Sequence, residues 1–284
     1  MLIRNLKWLF LALIFICCAQ PSPLTELFSL PEELKETSAV EITPKSNLIW
    51  TLEDSGNRPE LYALDKKGKI VHTLKIENVN NIDWEELASD DEGNLYIGDF
   101  GNNDNGRNDL AIYMINVRDL DKDSAPVFKK FSFFYPEQTD FPPKKSERYF
   151  DAEAFFFHNN SFYLFTKNRS AQGGNSRLYR ISAIQGNHPA TLVGEFPTCE
   201  SFRKCGITGA DISNDGKKIA LLSNRKVWII NKFNGDDFLH GNVREIDLGT
   251  ESQLEGICFK TGNKLYLVDE RAKHAGGKLY ELKL

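Results

Sequence analysis

Five times along the chain an acidic residue stands beside a small residue, a polar turn follows, and an apolar strand comes after the turn. The acidic stretches are Glu36-Thr37-Ser38-Ala39, Trp84-Glu85-Glu86-Leu87-Ala88, Asp151-Ala152-Glu153-Ala154, Gly209-Ala210-Asp211 and Leu254-Glu255-Gly256. The strands after the turns are Leu48-Ile49-Trp50-Thr51, Leu95-Tyr96-Ile97-Gly98, Phe162-Tyr163-Leu164-Phe165, Ile219-Ala220-Leu221-Leu222 and Leu265-Tyr266-Leu267-Val268. A third strand closes each unit, as in Glu60-Leu61-Tyr62-Ala63-Leu64 and Lys278-Leu279-Tyr280-Glu281-Leu282. Self-similarity at a few tens of residues, in units made of strands, means the blades of a β-propeller with its carboxylates gathered at one end.

The expected fold is therefore all-β, a five-bladed β-propeller. Asp91-Glu92-Gly93-Asn94, Asn159-Asn160, Asn214-Asp215-Gly216 and Thr261-Gly262-Asn263 supply hairpin turns between the first two strands of four units. After Glu255 the chain has room for three strands but not four. The apolar segment 24–30 is expected to pair with the C-terminal strand 279–284 and complete the last blade. A six-bladed ring is the alternative, with its extra unit within 116–148. There Phe131-Ser132-Phe133-Phe134 alternates well but has no acid and turn ahead of it, so it reads as the outer strand of blade two.

A formal charge of −5 and a pI near 5.7 give no basic field for a polyanion, which excludes nucleic acid as an expected partner. Arg4 and Lys7 precede an apolar stretch from Trp8 to Ile16, too short to span a membrane and suited to a signal peptide. Residues 1–18, ending in Cys17-Cys18, resemble a bacterial lipoprotein signal in which a cysteine at the cleavage point is acylated, although Ile14-Phe15-Ile16 lacks the usual small residues. An uncleaved anchor or a plain secretory signal is the other reading. Residues 19–23 form a breaker-rich tether and 24–284 a single propeller domain. Export lets Cys199 and Cys205 close a small loop as a disulfide, while Cys258 reads as a buried thiol.

The strings Trp50-Thr51-Leu52-Glu53-Asp54-Ser55-Gly56-Asn57, Asn80-Asn81-Ile82-Asp83-Trp84-Glu85, Gly98-Asp99-Phe100-Gly101-Asn102-Asn103, Asp151-Ala152-Glu153-Ala154, Thr208-Gly209-Ala210-Asp211 and Leu254-Glu255-Gly256 resemble those of exported bacterial propellers. The chain is similar in pattern to the SdiA-regulated periplasmic type and, more distantly, to β-propeller phytases, from about Glu36 to Leu284. The resemblance implies a propeller and bound calcium, and it implies no settled reaction.

First strands of propeller blades line the axis, so Glu36, Glu85, Glu153, Asp211 and Glu255 are the expected ring of metal ligands. Carboxylates a few ångströms apart repel by about 1–4 kcal/mol per pair, which a shared proton or cation relieves. Calcium, which takes six to eight oxygens in loose geometry, is the expected cofactor. The same acids could instead cap backbone groups or stand in wet space. The ends of the second strands bring Asp54 and Asp99 on one side and Lys167, Arg169, Arg225 and Arg271 on the other. That placement suits a small anionic ligand, although these bases could equally neutralise neighbouring acids. The loop from Asp99 to Asp109 is rich in oxygen ligands but lacks the order of an EF-hand, and reads as a turn.

No G-x-S-x-G elbow and no Cys/His metal pattern occurs, and the five histidines, His158 and His274 included, read as surface groups. The expected function is an exported, lipid-anchored binding module with an axial cation, taking a small ligand or a protein partner. A calcium-dependent hydrolase of phosphate esters or lactones, and a surface adhesin, are the alternatives, since the fold serves all three.

Overall fold

A computed structural model describes residues 22–284, apart from 45, 171–173, 200, 251 and 273–274. The signal with Cys17 and Cys18, most of the tether, and His274 lie outside the described residues. No described helix is long and apolar enough to cross a membrane.

The strands form five sheets. Blade three runs outward from the axis as Ala152–His158, Ser161–Thr166, Ser176–Ser182 and Thr191–Phe196, and blade four as Gly209–Ile212, Lys218–Leu222, Lys226–Asn231 and Asn242–Asp247. Blade two holds Trp84–Ser89, Leu95–Asp99, Ala111–Ile115 and Lys129–Phe134. The segment that a sixth blade would have needed is thus its outer strand. Blade one has Ile49–Thr51, Glu60–Leu64 and Ile70–Glu77, with an inner segment bridged at Thr37↔Glu53 and Glu41↔Trp50. Two short strands lie parallel to the edge strands of other blades: Ser124–Pro126 on blade one and Gly186–Pro189 on blade two. Such caps cover open strand edges.

Blade five takes three strands from the C-terminus, Leu254–Thr261, Lys264–Asp269 and Lys278–Lys283, and its fourth, Leu24–Ser29, from the N-terminus. The closing pair is antiparallel with Leu24↔Leu282 and Ser29↔Lys278 in register. Hairpin chemistry explains the tight turns. Asn159 and Asn160 both have positive φ, 47° and 55°, the requirement of a two-residue turn whose twist matches the strands.

The core lies between blades rather than within them. Five apolar clusters each join one pair of neighbours. Blades two and three share Phe100, Phe131, Phe155, Phe162 and Tyr179, while Trp50 and Trp84 belong to the cluster between blades one and two. Blades five and one share Leu30, Leu34, Val40, Cys258 and Leu279. The N-terminal strand also reaches the next blade. A Cβ on Gly68, in a blade-one turn with φ +81°, would stand 2.3 Å from the Phe28 ring. Gly68→Ala should therefore cost about 1–3 kcal/mol, from left-handed backbone strain plus displacement of Phe28. Denaturant unfolding checks this, and a midpoint equal to that of the unaltered protein would show that the ring does not depend on this contact.

Candidate functional site

Three inner strands carry one extra residue at the same place. The pairing slips between Trp84 and Glu86, between Ala152 and Ala154, and between Leu254 and Gly256. The residues left out of the ladder are Glu85, Glu153 and Glu255. A bulge sets two residues against one and re-aims a side chain. All three glutamates line one cavity of about 260 Å³ at the end of the ring where the inner strands begin. In blade one the slip falls at Ser38, whose N–H bonds Leu52 O at 3.3 Å, and Ser38 lines the same cavity. In blade four the paired strand starts at Gly209 opposite Leu222, and the matching residue is Thr208, whose N–H bonds the same Leu222 O at 2.9 Å and whose hydroxyl donates to Leu254 O at 2.7 Å.

Asp211 therefore does not join the other expected ligands. Its acid follows the small residues Gly209-Ala210, whereas Glu85 precedes its matching position, so Asp211 pairs with Ala220 deeper along the strand. Its carboxylate accepts from Ile212 N at 2.7 Å and from Phe259 N of blade five at 2.6 Å. With Glu41, Ser89 and His158 it lines a second cavity, of about 230 Å³, at the opposite end. Glu36 lies on the exposed rim of the first cavity, where Asn57 donates to it at 2.7 Å.

The upper cavity has two unlike halves. On one side a carboxylate oxygen from each of Asp54, Asp83 and Glu85 lies within 4.8 Å of the others. The backbone of Gly101 makes the room. A Cβ there would fall 2.1 Å from Glu85 Oε1 and 2.5 Å from Asp83 Cγ, so a larger residue would have to displace these carboxylates. Burial, then Glu153, Asp54 and Asp83, push Glu85 well above the carboxylate range. Burial and Asp54 push Asp83 up to about 6, and burial raises Asp54. Thr37 lines the same cavity, and its buried hydroxyl has no hydrogen-bond partner.

On the other side the bases are bound to acids. Lys167 Nζ lies 2.9 Å from Glu153, and Arg169 lies 2.7 Å from Glu153 and 2.5 Å from Asp151. Against the upward push of burial, Lys167 and Arg169 hold Glu153 below its usual range. Glu255 faces Lys167 electrostatically, yet burial still lifts it to about 7.

Three expected ligand-binding residues stand elsewhere. Asp99 is buried behind Asp83, bonded to Arg107 at 2.9 Å, to the Tyr113 hydroxyl at 3.3 Å and to Asp83 N at 3.2 Å. Arg271 donates to Leu30 O at 2.7 Å and pins the closing segment. Arg225 is not among the residues lining the upper cavity; its carbonyl accepts from Leu248 N. The loop after Asp99 is held by its own side chains, with Asn102 Oδ1 accepting from Arg107 N and buried Asn105 accepting from Phe150 N. Cys199 and Cys205 are disulfide-bonded in the connection ahead of blade four. Sequence reasoning missed Thr37, Ser38 and Glu270 in the lining of the upper cavity, and Asp83 clustered with Asp54 and Glu85. An acid two residues before a bulged glutamate was the available signal for Asp83.

No family model and no curated protein matches this chain. Among solved structures it is similar to virginiamycin B lyase from Staphylococcus aureus, with TM-score 0.43, 14% identity, and 90% of this chain and 69% of that one covered. A gluconolactonase from Xanthomonas campestris matches at TM-score 0.48 and 11% identity, over 87% of this chain and 72% of that one. The PQQ-bound aldose sugar dehydrogenase from Streptomyces coelicolor matches at TM-score 0.51 and 10% identity, over 92% and 97%. These neighbours are propeller-like enzymes. The likeness is one of fold.

The raised acids give a pH dependence with a definite sign. Burial first holds Asp83 at about 6 and Glu255 and Asp211 at about 7, so the folded protein keeps protons that the unfolded chain releases near pH 4. Their contribution to stability is complete below about pH 4 and is lost as pH rises through about 6–7. In chelator the melting temperature should fall between about pH 5 and pH 8, and Glu255→Gln, which fixes one neutral form, should reduce that fall. Circular dichroism melts across this range check it, and a flat profile would mean that these groups titrate as in water.

Proposed function

We propose that the protein is an exported, lipid-anchored propeller that binds a divalent cation, calcium, in its upper cavity and takes a small ligand at the rim above it. The observation that carries this reading is the Asp54, Asp83 and Glu85 trio, with oxygens within 4.8 Å of one another and the backbone of Gly101 packed against Glu85 and Asp83. Three like charges so placed need a proton or a cation, and an all-oxygen set suits calcium. The unpartnered Thr37 hydroxyl offers a further oxygen at the wall of the same cavity. Such a set differs from the expected ring in dropping Asp211 to the far end and Glu153 to Lys167 and Arg169.

Export and anchoring rest on the resemblance of residues 1–18 to a lipoprotein signal, with Cys17 or Cys18 as the acylated residue. The Cys199–Cys205 disulfide supports an oxidising compartment. The pattern shared with exported propellers of the SdiA-regulated and phytase-like type supports the same placement. An anionic group on the ligand would reach Lys167 and Arg169 only by sharing them with Glu153 and Asp151.

A hydrolase acting on phosphate esters or lactones is the second reading, and Glu255 favours it. A carboxyl held at about 7 beside a cation site is poised to take a proton from water near neutral pH.

Calcium should raise the melting temperature of chelator-treated protein, since a ligand of the folded state alone stabilises it by about 2.7 kcal/mol at a hundredfold excess over Kd. Asp83→Asn with Glu85→Gln should abolish the rise and leave the fold intact. Calorimetric titration that finds no calcium binding to the unaltered protein at millimolar concentration would sink the cation reading.

A further inference from the structure

Glu86, next to the bulged Glu85, has no place in the upper cavity or the lower one. Its side chain is fully buried. One carboxylate oxygen accepts from its own Leu87 N at 3.0 Å, and the other accepts from Ala210 N at 3.3 Å. Glu86 belongs to blade two and Ala210 to blade four, which are not neighbours in a ring of five. A contact between them has to cross the axis.

The other blades make way for it. The residues level with Glu86, which pairs with Gly98, are Ala154 opposite Phe165, Gly209 opposite Leu222 and Gly256 opposite Val268. In blade one Ala39 follows the slip at Ser38. Every one of these is buried. A Cβ on Gly209 would stand 3.1 Å from Glu86 Oε2 and 2.9 Å from Glu255 O, and one on Gly256 would stand 2.7 Å from the Ala39 backbone. Inner strands of blades four, five and one thus meet backbone to backbone, and the one long side chain at this level fills what remains of the channel.

We infer that Glu86 is a fixed axial plug that divides the channel into two blind cavities. Solutes then enter and leave the upper cavity only across the rim lined by Glu36, Asp54 and Glu270. The acids Glu41 and Asp211 at the lower end share no solvent with it. This division does not depend on whether a cation occupies the upper cavity.

Cys258 reports on the plug. It is fully buried, two residues past Gly256, and Glu41, Asp211 and Glu86 are the acids that act on its thiol. In the full-length protein, modification of Cys258 by a small mercurial, followed by peptide mass mapping, should be slow. Glu86→Ala should speed it by at least about tenfold by opening a path from the upper cavity, while Glu86→Gln, of the same length, should leave it slow. Glu86→Asp, one methylene shorter, should give an intermediate rate and serves if the Ala variant does not fold. Equal acceleration in the Gln and Asp variants would mean loosened packing, and no acceleration on shortening would mean that the axis is closed without Glu86; either result overturns the plug.

Discussion

Close approach of five inner strands at one axis governs this molecule. A ring of five is narrow, and at the level of Gly256 the backbones of blades five and one leave no space for a methyl group. Whatever projects inward at one end must therefore share a small volume with its counterparts from other blades. The chain meets this by changing register. The slips at Glu85, Glu153 and Glu255 turn three carboxylates out of the ladder and leave the apolar residues on either side in the inter-blade cores.

Crowded acids in a half-closed cavity have to be compensated, and the two sides of the cavity do so differently. On the blade-three side compensation is internal, since Lys167 and Arg169 follow the second strand and fold back onto Glu153 and Asp151. On the side of blades one and two the Asp54, Asp83 and Glu85 trio is acidic throughout, and Arg107, which acts on Asp83 from a distance, is engaged by Asp99 and Asp109. That asymmetry supports placing a cation at the trio rather than at the centre of a symmetric ring.

The architecture was legible from the chain because each blade repeats its own boundaries. Asn159-Asn160 and Asn214-Asp215-Gly216 fix hairpins locally, and the shortage of residues after Glu255 forces a strand to come from elsewhere. Ring membership was harder to read, because a strand slip is a one-residue event that composition does not record. Gly209-Ala210-Asp211 looks like Ala152-Glu153-Ala154 by content, yet its acid sits three places further on and serves backbone N–H groups of blades four and five. Arg225 and Arg271 end second strands just as Lys167 does, but only tertiary packing decides whether such a side chain turns inward or, as Arg271 does, clamps the closing segment. Glu86 was written beside Glu85 in the repeat, and nothing local distinguishes a residue that lines a cavity from one that closes it.

The pattern of acids and hydroxyls around the bulge level follows from the same geometry. Five glutamates there would place every acid beside two others, with each close pair costing about 1–4 kcal/mol. Ser38 in blade one and Thr208 in blade four break the ring, so that Glu255 has a hydroxyl on either side and Glu85 and Glu153 form the one adjacent pair. It is at that pair that the added charges gather, with Lys167 and Arg169 on Glu153 and Asp54 and Asp83 on Glu85. Glu255 has no adjacent bulged acid, and burial, with Glu153 and Glu270 adding to it against the opposing pull of Lys167, brings it near neutrality. The level thus holds one neutralised acid, one acid in a cation-sized cluster and one acid able to exchange a proton. A binding module needs the second of these, and the third is what a hydrolase would add.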